Sequence, residues 1–223
     1  MIDLTQFMKD SNYILKELKE NGIVLLKRPK TENEILNLAN NLGEIVPDNN
    51  GKVIQVLKAK QKGCGIFGSF SYEVGLKEFP WHTDTSFWDI PVRWLLLFSK
   101  NPSACTTNYL KLENILRDKK KFKHLAHAAI FKLRLPTSIF LMPFIFNKNY
   151  ECGYRYDQHI MTPFNKAAFE LDNWIREELE GCQYNKIKWT GENIAIIDNW
   201  KGIHNRSDCS SYPDRELTRI YIS

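Results

Sequence analysis

The sequence predicts a mainly β domain with flanking helices, an α+β fold. Three observations lead there. Apolar runs of strand length crowd the chain after residue 80. Helical spacing is concentrated in the N-terminal third and again after Asn165. No repeat, low-complexity stretch or linker divides the 223 residues, a length that fits one domain over 1–223.

The elements follow in order. Ile14, Leu15 and Leu18 make one helical face, and Gly22 can stop that helix. Ile23 to Leu26 is a short apolar strand. Thr31 and Glu34 form a capping-box pattern ahead of Ile35, Leu38, Ala39 and Leu42 at helical spacing. Val53 to Leu57 reads as a strand, and residues 60–80, with four glycines and Pro80, as a long loop of the kind that forms lids. Val92 to Ser99 has the continuous apolar character of a buried strand. Phe131 to Phe146 is β-rich but broken by Pro136 and Pro143. Asn165 caps a helix carrying Ala168, Leu171, Ile175 and Leu179 on one face. Lys186 to Trp189, Asn193 to Asn199 and Arg215 to Ile222 close the fold as strands.

Composition excludes several classes. With 43% hydrophobic and 13% aromatic residues the chain can bury a core and is not a disordered tail. A net charge of +5 does not point to nucleic acid, and the run Lys119-Lys120-Lys121 with Lys123 reads as a solvated helix end. The five cysteines are scattered and odd in number, so they read as reduced thiols in a cytoplasmic protein. Residues 1–20 are interspersed with charge, unlike a signal peptide, and the longest apolar run, Trp94 to Phe98, is too short to span a membrane.

The chemistry is carried by few residues. His82-Thr83-Asp84, read as a strand, puts an imidazole and a carboxylate on one face. His-x-Asp alone is a weak signal that chance also produces. His204, just past an apolar strand ending in Asp198-Asn199-Trp200, supplies a second imidazole. Two histidines and one carboxylate occupy one face of an octahedral ion and leave the other face open, which is the ligand logic of Fe(II) oxygenases. His124 and His127 lie in a Lys-rich helical stretch and read as solvent-exposed; His159 sits in a loop that can line a site. Arg215 and Arg219, four apart on the last strand, share a face that Ile220 and Ile222 suggest is half buried. Guanidinium groups there need anions, which a dicarboxylate can provide; the competing reading is a surface ion pair with Asp214 or Glu216.

These residues together resemble the taurine dioxygenase and clavaminate synthase superfamily. His82-Thr83-Asp84 is similar to its proximal iron motif. Asp198-Asn199-Trp200 with His204-Asn205-Arg206 is similar to its distal motif, and Arg215 and Arg219 stand at the spacing of its 2-oxoglutarate-binding end. Tyr13 to Gly43, and Arg155-Tyr156-Asp157 through Pro163, extend the likeness over roughly residues 13–223. The resemblance implies a double-stranded β-helix (jelly-roll) core with helices on one outer face. It implies Fe(II) bound by His82, Asp84 and His204, and 2-oxoglutarate as co-substrate held by Arg215 and Thr106. It also implies O2 as oxidant and Arg219 facing a small anionic substrate such as an amino acid or its derivative. Where the family has a Gly-Gly pair before the threonine, this chain has Ser103-Ala104-Cys105, which leaves Thr107 as an alternative to Thr106. Phe70 and Tyr72, in the Gly-rich loop, are the expected substrate contacts. Trp81, Phe87, Trp88, Trp94 and Trp200 read as core. Two other classes fit the same residues: a hydroxylase of protein or nucleic acid, and a non-catalytic binding protein on this fold.

Overall fold

The computed structural model describes residues 11–48, 50–64, 70–115, 118–135 and 137–223, without the side chains of residues 11, 12, 70 and 71. Two antiparallel sheets face each other around the site. The larger runs β1 (Ile23–Lys27), β13 (Asn193–Asp198), β5 (Trp94–Phe98), β15 (Glu216–Ile222) and β2 (Ile45–Val46), with β3 (Gln55–Lys58) also on β15. The smaller runs β12 (Asn185–Thr190), β6 (Pro102–Lys111), β14 (Gly202–Arg206) and β4 (Phe79–His82).

The unbroken apolar character of β5 has a simple cause: both of its faces are covered. Leu95 and Leu97 turn inward, where they join Ala195, Ile197, Ile187, Trp189 and Leu217 between the sheets. Trp94, Leu96 and Phe98 turn outward with Ile194, Ile196, Ile220 and Ile222. That outer face is covered by α1 (Ser11–Asn21) through Ile14 and Leu18, and by α2 (Glu32–Asn40) through Ile35 and Leu38. The Thr31–Glu34 capping box forms as the sequence predicts, and Gly22 takes a φ of +75° at the exit of α1, a conformation that glycine adopts without strain.

Helices are not confined to one outer face. α5 (Lys119–Ala128) and α6 (Lys166–Gly181) pack on the opposite side with Trp81, Leu110 and Ile203 of the smaller sheet, through Phe122, Leu125, Leu171 and Ile175. Asn165 caps α6, accepting from the Ala168 amide at 3.0 Å. Short strands complete this layer: β7 (Ile130–Leu135) between β8 (Ser138–Pro143) and β11 (Met161–Pro163), and the hairpin of β9 (Ile145–Lys148) with β10 (Glu151–Tyr154). Part of the predicted 60–80 loop is instead structured, as the short helix α3 (Phe70–Val74) and the strand β4; its Gly65 and Gly68 lie outside the described residues, as does Pro136. α4 (Leu112–Ile115) follows directly on β6.

The cysteine reading is corrected. Cys105 and Cys209 form a disulfide with Cα atoms 5.3 Å apart, while Cys64, Cys152 and Cys182 are free. The sequence separation of 104 hides a proximity that only the fold creates. Among the described residues no helix is long and apolar enough to cross a membrane.

Candidate metal centre and anion pocket

Antiparallel pairing of β4 with β14 makes His82 and His204 direct cross-strand partners, and their rings stand 4.2 Å apart. Directly opposed residues of such a pair project to the same face. His204, just past the end of β13, thus lies inside a further strand. Asp84, conversely, is not in a strand, since β4 ends at His82. Its direction comes from Asn199, which is fully buried. The Asn199 side chain accepts from the Asp84 amide at 2.9 Å and donates to the Asp84 carbonyl at 3.0 Å and the Val92 carbonyl at 2.9 Å. Thr85 beside it holds a φ of +55°, uncommon for a β-branched residue, and its hydroxyl spans the Asp84 carbonyl and the Val92 amide.

The three side chains offer ligand atoms within 4.8 Å of one another. His82 Nε2 is 3.5 Å from Asp84 Oδ1, and His204 Nε2 is 3.9 Å from Asp84 Oδ2. His82 Nδ1 lies 2.8 Å from the Pro80 carbonyl, which fixes that nitrogen as the donor and leaves Nε2 with its lone pair toward the cluster. Burial lowers the proton affinity of His204, helped by the neighbouring His82, to a pKa of about 3, so this imidazole is neutral. Burial pushes the Asp84 carboxyl up, but Arg219 and the two imidazoles outweigh it and hold the group well below the carboxylate range. His82 is displaced upward because Asp84 outweighs its own desolvation. Two imidazole nitrogens and an ionised carboxylate with this convergence suit a divalent first-row ion.

A cavity of about 700 Å³ opens over these groups. Its walls include Phe87 and Trp88, which the sequence reading assigned to the core, whereas Trp81, Trp94 and Trp200 are core as expected. Arg155 shapes the wall without touching the site. It is 1% exposed and donates to the carbonyls of Ser86, Trp88 and Asp89 at 2.6–2.9 Å, fixing the turn after Asp84. Asp157 is bridged to His82 and also lines the cavity; burial raises its carboxyl pKa.

The expected anion-binding residues sort differently from their sequence order. Arg215 and Arg219 both face the cavity, and neither makes a surface ion pair with Asp214 or Glu216; Glu216 pairs with Lys58. Arg219 is held on two sides. Its Nη1 is 2.8 Å from Asp84 Oδ2, and its Nε and Nη2 donate to Gln55 Oε1. Among the described residues Arg215 has no carboxylate partner: its Nη2 donates to the Thr107 hydroxyl at 3.3 Å, and its buried Nε has no partner. Burial and the adjacent Arg206 lower its pKa to about 10.

Of the two threonines, Thr107 lines the cavity and Thr106 does not. Strand parity turns Thr107 into the cavity opposite Arg206, while the Thr106 hydroxyl donates to Asn108 on the other face. Tyr72 does not line the cavity; α3 carries it, and that helix is tied by Glu73 to His159 at 2.7 Å. His159 faces Glu73 rather than the site. The Phe70 side chain lies outside the described residues. His124 and His127 are exposed on α5, as predicted. Sequence reasoning missed Asn199 as a positioning group, and Gln55, Asp157 and Arg206 as lining groups. The Asp-Asn end of β13 was the available signal for the first, and the motif segments that contain Asp157 and Arg206 were the signal for those two; Gln55 carries none.

No family model and no curated relative matches the chain. Solved structures do. An asparagine oxygenase in complex with Fe(II), 3-hydroxyasparagine and succinate superposes with a TM-score of 0.75 at 15% identity, over 98% of this chain and 79% of that one. The non-haem iron oxygenase OrfP, with Fe and α-ketoglutaric acid, gives 0.73 at 15% over 96% and 80%. PvcB from Pseudomonas aeruginosa gives 0.68 at 15% over 95% and 79%. The chain has the fold of the non-haem iron oxygenases. In this oxygenase fold the pairing of β4 with β14 places both histidines, and the turn after β4 places the carboxylate, at one end of the space between the sheets.

Proposed function

We propose that this protein is an Fe(II)- and 2-oxoglutarate-dependent oxygenase that hydroxylates a small anionic molecule, an amino acid or amino-acid derivative being the first class to test. One observation carries the reading: a His82–Asp84–His204 donor set on the floor of a cavity whose wall presents Arg215, a buried guanidinium with no carboxylate of its own. When bound, Fe(II) with 2-oxoglutarate and O2 supplies oxidising power sufficient to hydroxylate an unactivated C–H bond. The residues of the chain bind, orient and exclude water. His82, Asp84 and His204 would hold the ion. Arg215, with the Thr107 hydroxyl, would take the remote carboxylate of 2-oxoglutarate through a planar fork that lysine cannot supply. Arg219 and Gln55, whose Nε2 is buried without a partner, would meet an anionic group on the primary substrate and so orient its target carbon. Phe87 and Trp88 would shield it from water. The cavity volume of about 700 Å³ is of small-molecule size, which favours a small substrate.

The test is an anaerobic titration with Fe(II) and 2-oxoglutarate. A visible charge-transfer band is expected for the wild type, and its absence for Asp84→Ala and His204→Ala. Succinate release screened over amino acids, their conjugates and sulfonates then identifies the substrate. A wild-type protein that binds Fe(II) but gives neither band nor succinate overturns the reading.

A further inference from the structure

Arg206 follows the iron-site histidine by two residues and belongs to β14, where it lies directly opposite Thr107 of β6. Direct partners of an antiparallel pair share a face, so Arg206 points into the space that Thr107 and Arg215 occupy. Its guanidinium stacks over Phe79 at 5.6 Å, and its Nη2 donates to the carbonyls of Gly75 and Lys77 at 2.7 and 2.5 Å. Its Nε is buried and has no partner, the same condition as the Nε of Arg215. No described carboxylate forms an ion pair with either. Arg206 is close enough to oppose the charge on Arg215.

Two like charges side by side in a partly dry wall raise the energy of the protein unless an anion joins them. Arg219 lines the same cavity but is paired with Asp84, whereas neither Arg206 nor Arg215 has a carboxylate partner among the described residues, and each keeps a buried Nε without an acceptor. The unanswered pair sits on the Thr107 side of the cavity, and a single remote carboxylate carries two oxygens, one for each guanidinium. We propose that Arg206 is the second arginine of the co-substrate site, acting with Arg215 to select a 2-oxo acid that ends in a carboxylate over one that ends in a methyl group. The same guanidinium also holds the backbone at Gly75 and Lys77, on the segment that leads into β4. This assignment rests on the oxygenase reading above.

The experiment compares two probes on the Fe(II)-loaded protein without oxygen: 2-oxoglutarate, and 2-oxobutyrate, which chelates alike but has no remote carboxylate. Wild type should prefer 2-oxoglutarate strongly. In Arg206→Met the 2-oxoglutarate affinity should fall about tenfold or more, as for a lost charge-assisted hydrogen bond, while 2-oxobutyrate binding stays within about twofold. Arg206→Lys, which keeps the charge but not the fork, should fall between. A structural role would weaken both probes together, and that outcome overturns the assignment, as does unchanged selectivity in either variant. If wild type itself shows no preference for 2-oxoglutarate while binding Fe(II), the oxygenase reading fails first, and the two failures are told apart.

Discussion

Arg219 Nη1 lies 2.8 Å from Asp84 Oδ2, so the carboxylate of the candidate metal site is also the counter-ion of the arginine that the resemblance turns toward the substrate. Arg219→Met would leave Asp84 buried without a cation. In the absence of metal this should destabilise the protein by about 3 kcal/mol. A divalent ion replaces the missing charge, so Fe(II) should raise the melting temperature of the variant more than that of wild type. Thermal unfolding with and without Fe(II), under nitrogen, measures this; an equal metal-induced shift in both proteins would sink it. The variant should also lose affinity for the primary substrate by about ten- to a hundredfold, with the 2-oxoglutarate constant little changed.

Thr107, not Thr106, should matter for the co-substrate. Thr107→Val removes a hydroxyl that accepts from both Arg215 and Trp189. An anaerobic titration should show 2-oxoglutarate binding weakened by roughly two- to tenfold, the range for a neutral hydrogen bond. Thr106→Val should bind as wild type does. The opposite ranking would mean that the register of β6 is wrong by one residue.

Asn199 is not one of the three candidate ligands, yet it holds Asp84 by both backbone groups. Asn199→Ala should weaken Fe(II) binding by about ten- to a hundredfold, as loss of a supporting contact does at metal sites. Competition with a chelating dye reads the constant directly. Affinity equal to wild type would show that the turn positions Asp84 unaided.

Asp198 supplies a pH signature. Burial raises its carboxyl pKa from 3.8 to about 6, against the pull of Arg93, whose Nη2 lies 3.3 Å away. Because the folded value is the higher one, the contribution of Asp198 to stability is fully present below pH 3.8 and is lost as the pH rises through about 6. Removing Arg93 costs most where the carboxylate is ionised. Arg93→Met, which also loses stacking between Trp94 and Trp200, should therefore be more destabilising at pH 8 than at pH 5, by roughly 1–2 kcal/mol. Urea unfolding at the two pH values tests the difference; a loss that is the same at both would place the whole effect in packing.

The sequence by itself determined the strand-rich core, the helix caps at Thr31 and Asn165, the candidate metal-ligand trio and the presence of cations on the last strand. Each of these is local: periodicity, capping and motif spacing act over a few residues, and the ligand chemistry of His and Asp does not depend on the path of the chain. Only the tertiary structure decided which groups those side chains answer. His82 meets His204 because β4 pairs with β14, across 122 residues of chain. Thr107 displaces Thr106 because the pleat of β6 alternates faces, and a one-residue ambiguity in a motif cannot resolve a period of two. Arg219 finds Asp84 and Gln55, while Arg215 finds Arg206, because β15 is laid beside β5 and β3, and the Arg215 end of it reaches the β6–β14 sheet. Charge pairing and disulfide formation, as at Cys105 and Cys209, depend on distances that only folding sets, and no local pattern encodes them.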